Sequence, residues 1–387
     1  MPHYLLTNVE NVVGFSDRYT KAGDTLSVTC RALLTSDDPE FYKYTEQISN
    51  IFLNKAQVSV DAVYKILVVI HHNLSADLYV NDFQVVAEIR AKRSDIKQGE
   101  VITKGDIADV SKLKFPEITI TATDKVIYCF KCGWRFGLFF DFTPGVQSAG
   151  VQNSHQITKL DVEKMMLSLG EIYRYLSFYH VYKVLESNKQ FEEMMKDGWF
   201  PFIEIIAEEY EKLSEMYKNK YDFENRIHVL VDSFTEERIK MITEKWWRNQ
   251  IFKDKKTIIE AGISAYLQNT SGGFVNCIKN LWTEIEGILR KLYLTEKGKG
   301  DGVKSNDLIG FIIEKAKNKT VSDSSLFLTS PFIKYLQRVV FANFNVETGK
   351  VDMSRNASSH GVAEVHQYTK AQALQLILIL DQIYFYA

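Results

Sequence analysis

The sequence predicts an α+β domain over residues 1–145, followed by an all-α region that ends in a bundle of four to five helices. Three observations carry this expectation. The first 145 residues hold short runs rich in Val, Ile, Tyr and Phe. From Thr158 onward, apolar residues recur at three- and four-residue intervals instead. Residues 144–154, polar and with Gly145 and Gly150, separate the two periods and mark a boundary. The helical part divides again near residue 250, giving a connecting region over 150–250 and a terminal unit over 251–387.

In the first domain, residues 25–34, 62–71, 76–82, 83–91 and 125–142 read as sheet, and 117–122 adds a short alternation through Ile118 and Ile120. Residues 38–53 carry Phe41, Tyr44, Ile48 and Ile51 at helical spacing behind Pro39, so a helix is expected to pack on that sheet. Next come Thr158 and Asp161 in the manner of a capping box. They open a stripe of Leu160, Met165, Leu169, Ile172, Leu176 and Tyr179. Asp197-Gly198 breaks the helical pattern, Pro201 opens the next helix through Ile206 and Leu213, and another starts near Ser233 and Glu236.

Thr270-Ser271-Gly272-Gly273 separates a short helix, 257–267, from the clearest amphipathic stretch, which holds Phe274, Ile278, Leu281, Ile285 and Leu292. A loop rich in Lys and Gly, 297–304, leads to helices around 308–316 and 332–341. The last helix covers about 369–384.

Composition excludes several classes. A net charge of -2 rules out a generally basic coat, so any nucleic-acid contact must come from a local patch. The N-terminus has no basic stretch followed by an apolar run, and the runs at 66–70 and 374–380 fall far short of the roughly 20 residues of a membrane-spanning helix. The expected location is the cytoplasm, with no membrane partner. Four cysteines, Cys30, Cys129, Cys132 and Cys277, are too few and scattered for a disulfide framework. Cys129 and Cys132 have ligand-like spacing without a second pair, and read as two buried thiols on an aromatic-rich strand. No metal and no cofactor is expected.

The chemistry concentrates just ahead of the last helix, in Ser354-Arg355-Asn356-Ala357-Ser358-Ser359-His360-Gly361. Spacing alone is weak, since a chain with 8 His has roughly one Arg five to seven residues before a His by chance. Arg174 and His180 are such a pair, and they read as ordinary helix surface and boundary. The plain alternative for Arg355 and His360 is a polar loop that caps the last helix. Against it stand the polar Asn356 after Arg, the Gly361 after His, the C-terminal position and the helical context together.

This segment resembles the HEPN superfamily (higher eukaryotes and prokaryotes nucleotide-binding), whose ribonuclease members carry Arg, a polar residue, a short spacer and His at the start of a late helix. The resemblance runs from about Thr257 or Phe274 to Ala387 and does not reach residues 1–250. Trp282 to Leu292, the Asp307-Leu308-Ile309 helix and the Arg355 to Gly361 segment are similar to the version found in bacterial abortive-infection proteins. It implies a metal-independent endoribonuclease acting as a homodimer, with the motifs of two protomers in one cleft. RNA is the implied substrate, with tRNA a natural candidate. The N-terminal domain is then the sensor of a phage-derived or stress trigger.

The residue types fit that chemistry. When the 2′-hydroxyl of RNA attacks the neighbouring phosphorus, an imidazole such as His360 can move the proton and the charged fork of Arg355 can neutralise the phosphorane. On a straight helix, positions five apart diverge by some 140°, whereas positions four apart share a face. Arg355 is therefore expected in the turn before the helix, with Asn356 orienting His360 or the phosphate. Products would carry a 2′,3′-cyclic phosphate and a 5′-hydroxyl.

Gly361 and Tyr368 are supporting positions. Glu286 matches a place where related proteins often have an acid and is a candidate support for Arg355, against the plainer reading of a solvated or capping glutamate. Lys297, Lys299 and Lys304 are candidate guides for RNA phosphates, against that of a solvated loop. His71-His72 and His366 have no ligand partners at recognisable spacing and read as structural or exposed. The competing functional reading is a non-catalytic HEPN module that binds RNA, a nucleotide or a partner protein. A third is a toxin or antitoxin-like scaffold that depends on a partner.

Overall fold

The computed structural model describes residues 3–6, 65–71, 75–93, 95–132, 135–141, 160–205, 208–298, 302–320, 322–342 and 365–387. Among the described residues the fold is mostly helical, with strands in the N-terminal part of the chain. It divides into two compact units, one of residues 1–90 with 110–177 and the other of 91–109 with 178–387. The expected strand at 25–34, the expected helix at 38–53 and the boundary at 144–154 lie outside the described residues.

The first unit is built on a five-stranded antiparallel sheet in the order β1-β3-β2-β6-β7. Its strands are β1 (His3–Leu6), β2 (Lys65–Ile70), β3 (Ala76–Val80), β6 (Lys125–Cys132) and β7 (Arg135–Asp141). The central strand β2 is KILVVI, and Ile66 to Val69 are all buried, as a run of β-branched residues with two neighbours requires. Val68 stands opposite Leu78 on one side and Ile127 on the other. The run at 125–142, read as sheet, forms the antiparallel pair β6 and β7.

A separate two-stranded sheet pairs β4 (Val86–Ala91) with β5 (Ile107–Lys114). Strand β5 was not expected, because Asp109, Ser111, Lys112 and Lys114 interrupt its apolar pattern. The alternation at 117–122 is corrected as well: it is turn and extended chain, not strand.

Helix α1 (Val162–Ser177) belongs to the first unit and packs Met165, Met166 and Leu169 against Leu67, Val69, Tyr128 and Phe130. Each large apolar side chain buried this way contributes roughly 1.5–3 kcal/mol. Phe115 and Tyr128 meet edge to face, ring centroids 5.0 Å apart. The close approach of α1 to β5 depends on Gly170, where a Cβ would stand 2.5 Å from Lys112 Cα and 2.8 Å from the Ser111 carbonyl oxygen. Gly170→Ala is expected to destabilise by about 1–3 kcal/mol through overpacking against backbone that has no side-chain end to swing aside. A urea midpoint equal to wild type would show that the helix can retreat freely.

The second unit is helical: α2 (Tyr179–Glu186), α3 (Asn188–Lys196), α4 (Glu208–Lys218), α5 (Phe223–Asp232), α6 (Glu236–Glu244), α7 (Gln250–Asp254), α8 (Lys256–Leu267), α9 (Ser271–Lys297), α10 (Ser305–Asn318), α11 (Thr329–Tyr335) and α12 (Lys370–Tyr386). Thr270 caps α9 by accepting from the Gly273 N–H, and Gly298 ends it in the left-handed region at φ 68°. A π-turn, Leu336–Val340, follows α11.

Helix α12 is apolar on all sides, and Ala373 through Ile383 are buried among the other helices. Its polar residues have defined work. Gln375 Nε2 donates to the Asp197 carbonyl at 2.8 Å, and Gln382 Oε1 accepts from the Ile203 N–H at 2.9 Å. These bonds satisfy the backbone of a buried non-helical stretch before α4. Pro201 therefore does not open a helix as expected: Phe200, Phe202, Ile203 and Ile205 are buried in an irregular segment and α4 starts later.

Candidate functional site

Arg355, Asn356, His360 and Gly361 lie within 343–364 and so outside the described residues, as does Lys299. Residues 343–364 fall in sequence between the π-turn, Leu336–Val340, and a short 3₁₀ turn, Val365–Gln367, before α12. Thr369 caps α12, its Oγ1 accepting from the Gln372 N–H at 3.2 Å. Tyr368 is half-buried against the core of the helical unit, with the Lys279 ammonium 5.9 Å from its ring centroid.

Glu286 is buried on α9, and its Oε1 accepts from Arg290 Nε at 2.8 Å. The solvated reading is thus corrected, since this carboxylate is held inside by an arginine one turn along. Lys297 pairs with Glu314 at 3.4 Å. Lys304 precedes α10, where its backbone N–H donates to Asp307 Oδ2 at 2.8 Å while its side chain is exposed. The two described lysines flank one loop, Lys297 at its entry and Lys304 at its exit. Arg174 is corrected from helix surface to a buried residue whose Nη1 donates to the Val110 carbonyl at 2.6 Å, and the helix expected to run on to Tyr179 ends at Ser177.

The densest charge cluster in the helical unit was not anticipated. Lys245 Nζ lies 2.9 Å from Glu204 Oε1 and 2.9 Å from Asp381 Oδ1, and Trp246 Nε1 donates to the same Asp381 oxygen at 2.7 Å. Arg238 holds Glu209 with both ends of its fork, at 2.6 and 2.8 Å, and donates to the Glu204 carbonyl at 2.7 Å. Lys92 lies 4.0 Å from Glu204 Oε2. Lys92, Glu204, Glu209, Arg238 and Lys245 also line a cleft of about 790 Å³, while Asp381 is buried behind it.

Burial pushes the Asp381 carboxyl up to about 6, against the pull of the Lys245 ammonium. Burial works in the same direction on Glu204, but Lys92 and Lys245 outweigh it and hold that group down at about 2. Burial lowers Lys92, more than Glu204 raises it. For Lys245 burial also lowers, and Asp381 and Glu204 more than reverse it. The one sequence signal for this cluster was an acid, Asp381, following an apolar run in α12.

His71 has a structural role in the first unit. Its Nδ1 meets Asp124 Oδ1 at 3.1 Å and its Nε2 meets Asp77 Oδ2 at 3.0 Å, so the imidazole ties β3 to the start of β6. Burial alone would lower its pKa; the hydrogen bonds to Asp77 and Asp124 outweigh that and hold it above the ordinary value. A raised histidine pKa stabilises the fold fully below its unfolded value of about 6.5 and loses that contribution as pH rises through the folded value. Urea denaturation of wild type and His71→Ala between pH 5.5 and 8.5 (roughly the span in which an imidazole titrates) is expected to show their difference shrinking with rising pH. A difference that grows with pH would reverse the assignment.

Among the described residues no group of three or more His, Cys, Asp or Glu is arranged to hold a metal ion, and no helix is long and apolar enough to cross a membrane. Compared with protein-family models, curated proteins and solved structures, the chain matches none.

Proposed function

We propose that the chain is a metal-independent endoribonuclease of the HEPN type, with His360 as proton carrier, Arg355 as phosphate clamp and Asn356 as the residue that orients them. The observation that carries this reading is the segment Arg355-Asn356 to His360-Gly361, which precedes α12 in sequence. The packing of α12 against α8, α9 and α10 supports it, since a bundle-type nuclease needs a rigid last helix. We read α8 to α12 as the HEPN-like bundle, the partner as a second copy of the chain, and the role as an effector of bacterial abortive-infection defence. The preceding residues then restrain the nuclease until a trigger arrives.

The test is cleavage of total bacterial RNA by the purified full-length protein in excess EDTA, with fragment ends identified. Fragments ending in 2′,3′-cyclic phosphate and 5′-hydroxyl are expected. A requirement for a divalent metal, or 5′-phosphate ends, would overturn the mechanism, because 2′-hydroxyl attack produces neither. RNA binding with no cleavage, even in cells where full-length protein is toxic, would leave the non-catalytic module as the better reading.

A further inference from the structure

The helical unit has a second concave site that the nuclease reading does not use. Next to the cleft just described lies a cavity of about 960 Å³ that shares Lys92 and Lys245 with it. Five cations line this cavity, Lys92, Arg93, Lys245, Arg248 and Lys319, against the carboxylates of Asp95, Glu244 and the last residue, Ala387. Its volume is that of a small-molecule site.

Most of these cations are answered from outside the cavity. Lys245 is held by Glu204 and Asp381. Arg93 is paired with Glu100 and Asp106. Lys319 donates to the Phe385 carbonyl at 3.1 Å.

Lys92 differs. Its side chain is only 9% exposed, and its nearest carboxylate oxygen, Glu204 Oε2, is 4.0 Å away, beyond hydrogen-bond length. The other oxygen of Glu204 is already taken by Lys245. Among the described residues the Lys92 ammonium therefore has a distant countercharge and no hydrogen-bond acceptor, on the wall of a cavity where cations outnumber acids. An ammonium left with so little contact with water gains from an acceptor that replaces the lost hydration.

We propose that this cavity binds a small phosphate-bearing molecule, with a phosphate oxygen accepting from Lys92. Phosphate suits the site because its several oxygens accept from more than one cation at once, and Arg93 and Lys319 stand on the same wall. Tyr384 and Phe385 also line the cavity and offer aromatic surface to the rest of the ligand. The site is independent of Arg355 and His360, and the ribonuclease reading can fail without affecting it.

Isothermal titration of the full-length protein with pyrophosphate, AMP and adenosine tests this. The two phosphate-bearing probes are expected to bind and adenosine to bind far more weakly. AMP tighter than pyrophosphate assigns the natural ligand to the nucleotides, and the reverse order to simple phosphates. Lys92→Met is expected to raise Kd about tenfold to a hundredfold, the loss of a hydrogen bond to a charged group, with Lys92→Arg restoring most of it. Should Lys92→Met fail to fold, Lys319→Ala at the rim is expected to weaken binding severalfold. Absence of binding by either phosphate probe, or unchanged affinity in the folded variants, overturns the proposal.

Discussion

His360→Ala is expected to reduce RNA cleavage in EDTA by about 10²–10⁴-fold, the usual contribution of a positioned general acid or base. Without a metal-bound hydroxide, deprotonation of the 2′-hydroxyl and protonation of the leaving oxygen both depend on side chains, and the imidazole is the group near position 355 that titrates around neutral pH. Arg355→Ala is expected to lose a comparable factor for a different reason. The guanidinium answers charge that appears on the phosphorane oxygens and is absent from the ground state, so its removal lowers kcat more than it weakens RNA binding.

Arg355→Lys separates the two roles further. A lysine keeps the charge and loses the planar fork, so partial recovery is expected, not full activity. The measurement is the initial rate on one labelled RNA, with binding followed separately by filter retention. A His360→Ala protein that cleaves at the wild-type rate, leaving the same ends, would remove His360 from the mechanism.

Much of this fold was legible because its elements follow one period each. Strands β2, β3 and β4 and helices α9 and α12 announce themselves by apolar runs or stripes, and the structure places them within a few residues of expectation. The misses share a physical cause. Strand β5 carries polar residues among its buried ones, and its buried Asp109 mimics a loop residue. The stretch before α4 owes its irregular, buried path to Gln375 and Gln382, some 178 and 179 residues further along the chain, which no local pattern can announce.

The same limit applies to sites. Arg355 and His360 are readable because they are close in sequence and ahead of a helix. Asp381 lies 136 residues from Lys245 and 135 from Trp246, and His71 reaches Asp124 across 53. Chemistry assembled by tertiary structure leaves only oddities in the sequence, here a carboxylate at the end of the apolar run of α12.

Lys245→Met is expected to be the most damaging change in the buried charge cluster, destabilising by about 3–5 kcal/mol near pH 8, as removal of one member of a buried ion pair does. The substitution leaves Glu204 and Asp381 facing each other out of water, with Lys92 4.0 Å from Glu204. Methionine fills the volume of the lysine stem, so the loss is electrostatic and not a cavity. The sign of its pH dependence follows from Asp381, whose carboxyl burial already holds up at about 6. Without the ammonium it rises further, the folded state takes up a proton that the unfolded chain binds only near pH 4, and the deficit is relieved in acid.

The defect should therefore be smaller at pH 5 than at pH 8 in urea denaturation. Asp381→Asn is expected to be milder, since the amide can still accept from Trp246 Nε1. Combining it with Lys245→Met removes the uncompensated charge along with the missing cation, so the double variant should be more stable than Lys245→Met alone. Strict additivity of the two losses would mean that Lys245 and Asp381 do not act on each other, and the cluster would then be held by packing.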